Sequence, residues 1–334
     1  MKYSKYIKQR GSLARAMVYA SFFSMCLAVG VAHAQPYPNK PIRIIVPFAA
    51  GSPTDILARI VAQKMTESLG TTVVDNRAGA NGIIATEYVA KSAPDGYTIE
   101  LGISGTHGSN AALYSKLPYD PVRHFEPITL AAQVPFALFA SNAFPAKSVK
   151  EMVSMAKANP GKYNIGTTSA GIQLTAELLK IAAGINLTLV PYKTQATALT
   201  DLSSGNLDML IYAVSAALGQ MKAGQFQALA VTSGQRSKLV PDLPTFVELG
   251  FPELSVTAWF AFYAPAGTPK EIVNKLYDAI SKALKAPDVQ KTLFDIGVEV
   301  VGSTPEELGK VTQNEIDKWK RIVREAKIPP LDTN

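Results

Sequence analysis

The feature that most limits the fold is an alternation, from Pro41 onward, between short apolar runs and amphipathic stretches of helical length. IRIIVPF leads into SPTDILARIVAQKMTESLG, TTVVDNR into ANGIIATEYVAKSAPDG, and YTIELGIS closes the first series. The rhythm resumes with FALFA, SVKEMVSMAKANPG, YNIGTT, IQLTAELLKIAAG, LTLVPY, TALTDLSSG, LDMLIYAV and ALAVTS. Strands alternating with helices of this length predict an α/β protein whose parallel sheet is covered on both faces. Helix ends are marked too: Gly70 is placed to cap the first helix, and Pro94-Asp95-Gly96 forms a turn after the second. After VTAWFAFYAPAG, two long helices are each entered by Thr-Pro. Thr268 or Thr304 as N-cap, Pro269 or Pro305 at N1 and Glu271 or Glu307 at N3 predict a capping box for both.

A chain of 334 residues suits two such α/β units, with a ligand cleft formed by loops at the carboxyl ends of their strands. A single large doubly wound domain is the alternative. The first 34 residues stand apart. Lys2, Lys5, Lys8, Arg10 and Arg15 precede the apolar segment AMVYASFFSMCLAVGVA, which ends in Ala32-His33-Ala34. This pattern predicts a signal peptide cleaved near Ala34, rather than a membrane anchor, because Gln35-Pro36-Tyr37-Pro38 follows without stop-transfer charges. The expected fate of the remaining chain is export. Cys26, the single cysteine, falls inside this segment, so the exported chain would carry no thiol or disulfide. The segment also holds five of the 33 basic residues and none of the 26 acidic ones, leaving a net charge of only about +2. Such a balance gives no support to a nucleic-acid partner.

The remaining chain has little catalytic material. Only His107 and His124 lie outside the first 34 residues, and no nucleophile elbow, phosphate-binding loop or zinc motif is present. His124, in PVRHFEP, reads as an exposed loop residue, whereas His107 in GTHGSN follows a strand and serves either turn structure or binding. No cofactor, metal or catalytic residue is expected. Binding has better support. In Gly51-Ser52-Pro53-Thr54-Asp55, Ser52 is predicted to cap a helix and Asp55 to reach back to the Ser52 amide. Free N–H groups at that helix start could also hold an anion. The loops GTHGSN, GTTSAGIQ and PYKTQAT are rich in hydroxyls, amides and glycine, with Lys193 their only formal charge. Many neutral donors can satisfy a desolvated carboxylate without a salt bridge.

These residues carry a resemblance. KPIRIIVPFAAGSPTD, VVDNRAGANG, SAPDGYT, GTHGSNAALYSKLPYDPVRHFEPIT, RSKLVPDLPTFVELGFP, FYAPAGTP and EIDKWKRIVREAKI together resemble the Bug-type solute-binding proteins of tripartite tricarboxylate transporters. The resemblance implies a two-lobed, Venus-flytrap periplasmic protein that closes over a small organic acid and delivers it to membrane permease subunits. Carried over position by position, it implies first-loop contacts from Phe48, Ala49, Gly51 and Ser52, with Thr106 and His107 beside them. From the second lobe it implies Thr168, Ser169, Gln173, Thr194 and Tyr212.

Several positions depart from the family pattern. Ser52 replaces a usual glycine, Gln173 falls near a usual His, Thr194-Gln195 replaces Gly-Gly, and Tyr212 stands where many members carry Asp. Asp55 is read as structural, and Trp259 and Phe260 as core or hinge packing. The expected lobes are residues 36–134 with 258–334, and residues 135–257. The chain is expected to act as a monomer. Two alternatives stay open: a sensor that uses the same cleft and signals to a histidine kinase, and a hydrolase of a carboxylated substrate.

Overall fold

The computed structural model describes residues 37–331, so the expected signal peptide and Cys26 lie outside the described residues. Strand β1 (Ile42–Val46) is almost wholly buried, as its apolar run IRIIV requires. It pairs in parallel with β2 (Thr72–Asn76) on one side and β3 (Thr98–Ile103) on the other. The connections are α1 (Pro53–Leu69) and α2 (Ile83–Ala90). A π-helical turn, Gly105–Ser109, leads into the short α3 (Asn110–Leu113).

The expectation of a parallel sheet needs correction, because the sheet is mixed. β4 (Phe125–Ser141) is a single strand of 17 residues, far longer than FALFA alone suggests. Its first part runs antiparallel to β9 (Thr257–Pro265), from Phe125↔Pro265 to Pro135↔Thr257. Its last part, from Phe136, runs antiparallel to β7 (Met209–Ala213) and β8 (Phe226–Val231). β9 returns between β3 and β4 and is antiparallel to both. The helix-linked strands remain parallel within each group: β5 (Asn164–Thr167) pairs this way with β6 (Thr188–Pro191) and with β7. The path through the sheet is β2-β1-β3-β9-β4-β7-β5-β6. β4 accommodates Pro127 next to a register shift, where a residue without an N–H interrupts no regular ladder bond.

Helices α4 (Val149–Ala158), α5 (Ala170–Ala183) and α6 (Gln195–Ser204) match the predicted segments. Besides the short α3, two were not foreseen: α7 (Val214–Lys222), which continues directly from β7, and α9 (Pro287–Asp295), which follows α8 (Lys270–Lys285). α8 turns Val273, Leu276, Ala279, Ile280, Ala283 and Leu284 inward at helical spacing. Each large apolar side chain buried in this way contributes about 1.5–3 kcal/mol. The final helix, α10 (Pro305–Glu325), has the predicted capping box: Thr304 Oγ1 accepts from the Glu307 amide, and Glu307 accepts from the Thr304 amide. α8 lacks one. The Thr268 hydroxyl instead donates to the Pro265 carbonyl at 2.7 Å, so it is committed to the preceding turn and Pro269 occupies the N-cap.

Candidate functional site

The carboxyl ends of β1, β3, β5 and β7 open on one cavity of about 600 Å³. Phe48 comes to it from the loop after β1, Ser104 and Gly105 from the turn after β3, Thr168 to Gly171 from the start of α5, and Ser215 from α7. Ser169 caps α5 by accepting from the Ile172 amide at 3.3 Å. The first-turn amides of a helix have no intrahelical acceptor, and Ala170 and Gly171, which open α5, are part of the wall. Tyr212 projects from β7 and donates to Gln195 Oε1 at 2.7 Å, leaving the Gln195 amide nitrogen to the cavity. Burial raises the Tyr212 pKa, so it stays a neutral donor.

Formal charge is scarce in this wall. Among the described residues it contains no Lys, Arg or His, and its one carboxylate there, Glu315, accepts from Lys318 and, at 3.0 Å, from Trp319 Nε1. Asn81 donates to the Tyr114 hydroxyl at 2.6 Å, and Asn110 to the Asn81 carbonyl at 3.2 Å. The arrangement offers many neutral donors beside apolar surface from Ile103, Val134, Phe136 and Trp319. It can desolvate a small anion but cannot neutralise a polyphosphate. Among the described residues no cluster of His, Cys, Asp and Glu could hold a metal ion.

Of the residues singled out in the sequence, Phe48, Thr168, Ser169 and Tyr212 line this cavity. Ala49, Gly51 and Ser52 lie on the turn beside Phe48 but are not in the wall. The capping arrangement there also differs from expectation. Ser52 Oγ accepts from the Asp55 amide at 3.2 Å, but Asp55 takes its second bond from the Gly51 amide at 2.9 Å. The Ser52 amide donates to Ala49 O, so the Gly51 and Ser52 amides both have protein acceptors and are not among the free N–H groups expected at this helix start. Asp55 is structural: buried at 2% exposure, it also accepts from Arg59 Nε and Asn76 Nδ2, each at 2.9 Å. Burial pushes its pKa up, but these bonds outweigh burial and the net shift is downward. Gln173 and Thr194 are exposed next to the wall. Their chain neighbours Ile172 and Gln195 reach it instead.

Thr106 and His107 stand behind the wall, both fully buried. The His107 ring stacks on Tyr263 at 3.8 Å and meets the edge of Phe125 at 4.7 Å. Its Nδ1 is 2.9 Å from Thr106 Oγ1, and its Nε2 is 3.8 Å from Oε2 of the equally buried Glu100. Burial lowers the His107 pKa to about 3 and raises that of Glu100 to about 8, a Thr86 hydrogen bond opposing the second shift. His124 is exposed and accepts from the Asp120 amide. Trp259 and Phe260 are buried in β9 and absent from the wall. The contributions of Asn81, Ser109 and Gln195 were not resolved by sequence reading, although the last two sit in loops marked by their density of neutral donors.

Residues 57–328 match the tripartite tricarboxylate transporter family receptor. The chain belongs to that family. The receptor is 35% identical over 297 residues to the protein BugT of Bordetella pertussis, covering 88% of this chain and 91% of BugT. Two solved structures are also similar. An R. palustris protein with adipate is 35% identical, with a TM-score of 0.70 over 88% of this chain and 100% of its own. MatC from Rhodopseudomonas palustris with bound malate is 34% identical, with a TM-score of 0.67 over 86% and 100%. The Bug-type resemblance read from the sequence therefore holds, and the receptor has the α/β fold of these binding proteins.

Proposed function

We propose that this receptor captures a small organic carboxylate in the cavity and delivers it, in the periplasm, to the membrane subunits of a tripartite transporter. The observation that carries the reading is a strand-end cavity with many neutral donors, no lining cation and one internally paired carboxylate. The adipate and malate found in relatives of the same fold support a carboxylate ligand. Phe48, Thr168, Ser169, Gln195 and Tyr212 are the proposed contacts, with Gly51, Ser52, Thr106, His107, Gln173 and Thr194 shaping the wall from its flanks. The receptor reaches the periplasm by cleavage near Ala34 and acts as a monomer. Its lobes are residues 36–134 with 258–334, and 135–257. β4 leaves β9 for β7 and β8 at Pro135 and Phe136, which supports a hinge there for closure over the ligand. The family match favours transport over signalling to a kinase.

Thermal-shift measurements against mono-, di- and tricarboxylates and aromatic acids test the reading. At least one must raise the melting temperature, because a ligand specific for the native state stabilises it. If none does, the ligand class is wrong. Turnover of a carboxylate ester would favour the hydrolase instead.

A further inference from the structure

The wall after β3 rests on buried polar atoms that ligand contact does not itself require. Glu100 Oε2 and His107 Nε2 face each other at 3.8 Å, and neither has a hydrogen-bond partner elsewhere. An ion pair here would strip water from two charges at a cost of several kcal/mol each. Among the described residues no Lys or Arg compensates them. The groups packed round the pair are Thr86 on α2, Thr106 on the turn, Tyr119, Phe125 on β4 and Tyr263 on β9. Burial raises the pKa of both tyrosines, Tyr119 and Tyr263. Their hydroxyls are engaged with Thr106 O and with Thr312 Oγ1 respectively.

Counting protons assigns the states. Thr106 Oγ1 accepts from the Ile103 amide at 3.1 Å and lies 3.2 Å from the Ile103 carbonyl and 2.9 Å from His107 Nδ1. A hydroxyl has one proton, and a carbonyl can only accept. Both contacts are satisfied together when Thr106 donates to Ile103 O and His107 donates from Nδ1. Nε2 is then a bare acceptor. The same count applies to Thr86, whose hydroxyl lies 3.0 Å from the Gly82 carbonyl and 2.7 Å from Glu100 Oε1: both contacts are satisfied when Thr86 donates to Gly82 O and accepts from a protonated Oε1.

We infer that Glu100 is held as a neutral carboxylic acid beside a neutral His107, and that two separate donor chains, Glu100 to Thr86 to Gly82 O and His107 to Thr106 to Ile103 O, position the cavity-facing turn Gly105–Ser109. The upward shift of the Glu100 pKa and the downward shift of the His107 pKa agree with this assignment. The ring itself has little freedom. Gly102 runs directly beneath it, and a Cβ there would lie 2.6 Å from Nδ1. What can change is the tautomer. When Glu100 ionises, the proton of His107 shifts to Nε2 to meet the carboxylate, Nδ1 becomes an acceptor, and the Thr106 hydroxyl turns away from Ile103 O. The role assigned to the turn rests on the cavity being the carboxylate site, whereas the protonation states do not.

The test is nitrogen NMR of the ligand-free protein labelled in histidine, followed from pH 6 to 10, beside calorimetric titration with adipate, malate and benzoate. At pH 7 His107 should be neutral with its proton on Nδ1, switching to Nε2 as the pH passes about 8. Glu100→Gln, whose amide donates in the acid's place, should hold Nδ1–H throughout and bind within about twofold of the unaltered protein at pH 7. Glu100→Leu and Gly102→Ala should weaken binding by about tenfold. An imidazolium at pH 7, an Nε2–H tautomer at pH 7, or a switch that persists in Glu100→Gln would overturn the neutral-acid assignment. Loss of binding in Glu100→Gln as large as in Glu100→Leu would overturn the positioning role. If none of the three acids binds, the carboxylate reading fails, and the NMR result still decides the protonation states.

Discussion

The turns after β1 and β3 leave neighbouring parallel strands at the same edge of the sheet, yet they are secured in opposite ways. The first, residues 47–52, is tied by an ionised carboxylate: Asp55 gathers the Gly51 amide, Arg59 and Asn76, and Arg59 reaches out to solvent. The second is tied by neutral groups sealed from water, with Glu100 and His107 at 0% exposure. A buried charge can be kept where its partner reaches solvent, as Arg59 does for Asp55. A group in the core is most cheaply kept neutral. The first turn should therefore respond to loss of its anion, and the second to changes of pH.

The largest effect is expected from Asp55→Ala, which strands three donors and should lower unfolding free energy by about 3 kcal/mol in urea titrations. Because the folded pKa of Asp55 is depressed, its contribution is present above the ordinary value of 3.8 and is lost as pH falls through the folded value. A loss well under 1 kcal/mol would mean that the first turn is held by something else.

Next comes the pH profile. The folded pKa of Glu100 is raised from 4.5 to about 8, so its contribution is complete below 4.5 and is lost as pH climbs to 8. His107 behaves oppositely: its folded pKa falls from 6.5 to about 3, so its contribution is complete above 6.5 and is lost on acidification. Between 4.5 and 6.5 the two slopes cancel. From pH 6.5 to 8 stability should drop by about 2 kcal/mol, and Glu100→Gln should remove that drop. A drop of equal size in both proteins would place its origin outside the core pair.

Two smaller effects sharpen the description of the first turn. Gly51 has φ +83° with open space around a would-be Cβ, so Gly51→Val tests backbone strain without a clash. It should cost about 1–2 kcal/mol and weaken carboxylate binding more than Ser52→Ala does. Ser52→Ala removes only the N-cap acceptor, for about 1 kcal/mol in denaturant. Equal and small effects of both on affinity would detach this turn from the ligand.

Much of this architecture was legible in the sequence. Apolar runs bounded by glycine, proline and amphipathic segments mark β1 to β3 and β5 to β8 because each is a local pattern. β4 was seen only as FALFA, since Pro127, Gln133 and Pro135 break the apolar run while β9 and a two-residue strand, Glu299–Val300, supply its pairing from far along the chain. The donor-rich loops were visible, but which of their side chains face inward was not. That choice depends on contacts such as Tyr212 with Gln195 and Asp55 with Gly51. The role of His107 needed its neighbours. One local signal was available: Glu100 is an acid in the middle of the apolar strand TIELGI, where an unpaired charge could not stay.

β9 also has a consequence for the order in which the molecule is made. It fills the seam between β3 and β4, but about 150 residues separate it from the end of β3. At ribosomal speeds of roughly 5–20 residues per second, that gap lasts on the order of ten seconds. Throughout that interval β3 has a bare edge able to template foreign strands, and the seam closes only when the last long strand emerges. A nascent chain of this design has reason to be held unfolded until its synthesis is nearly complete.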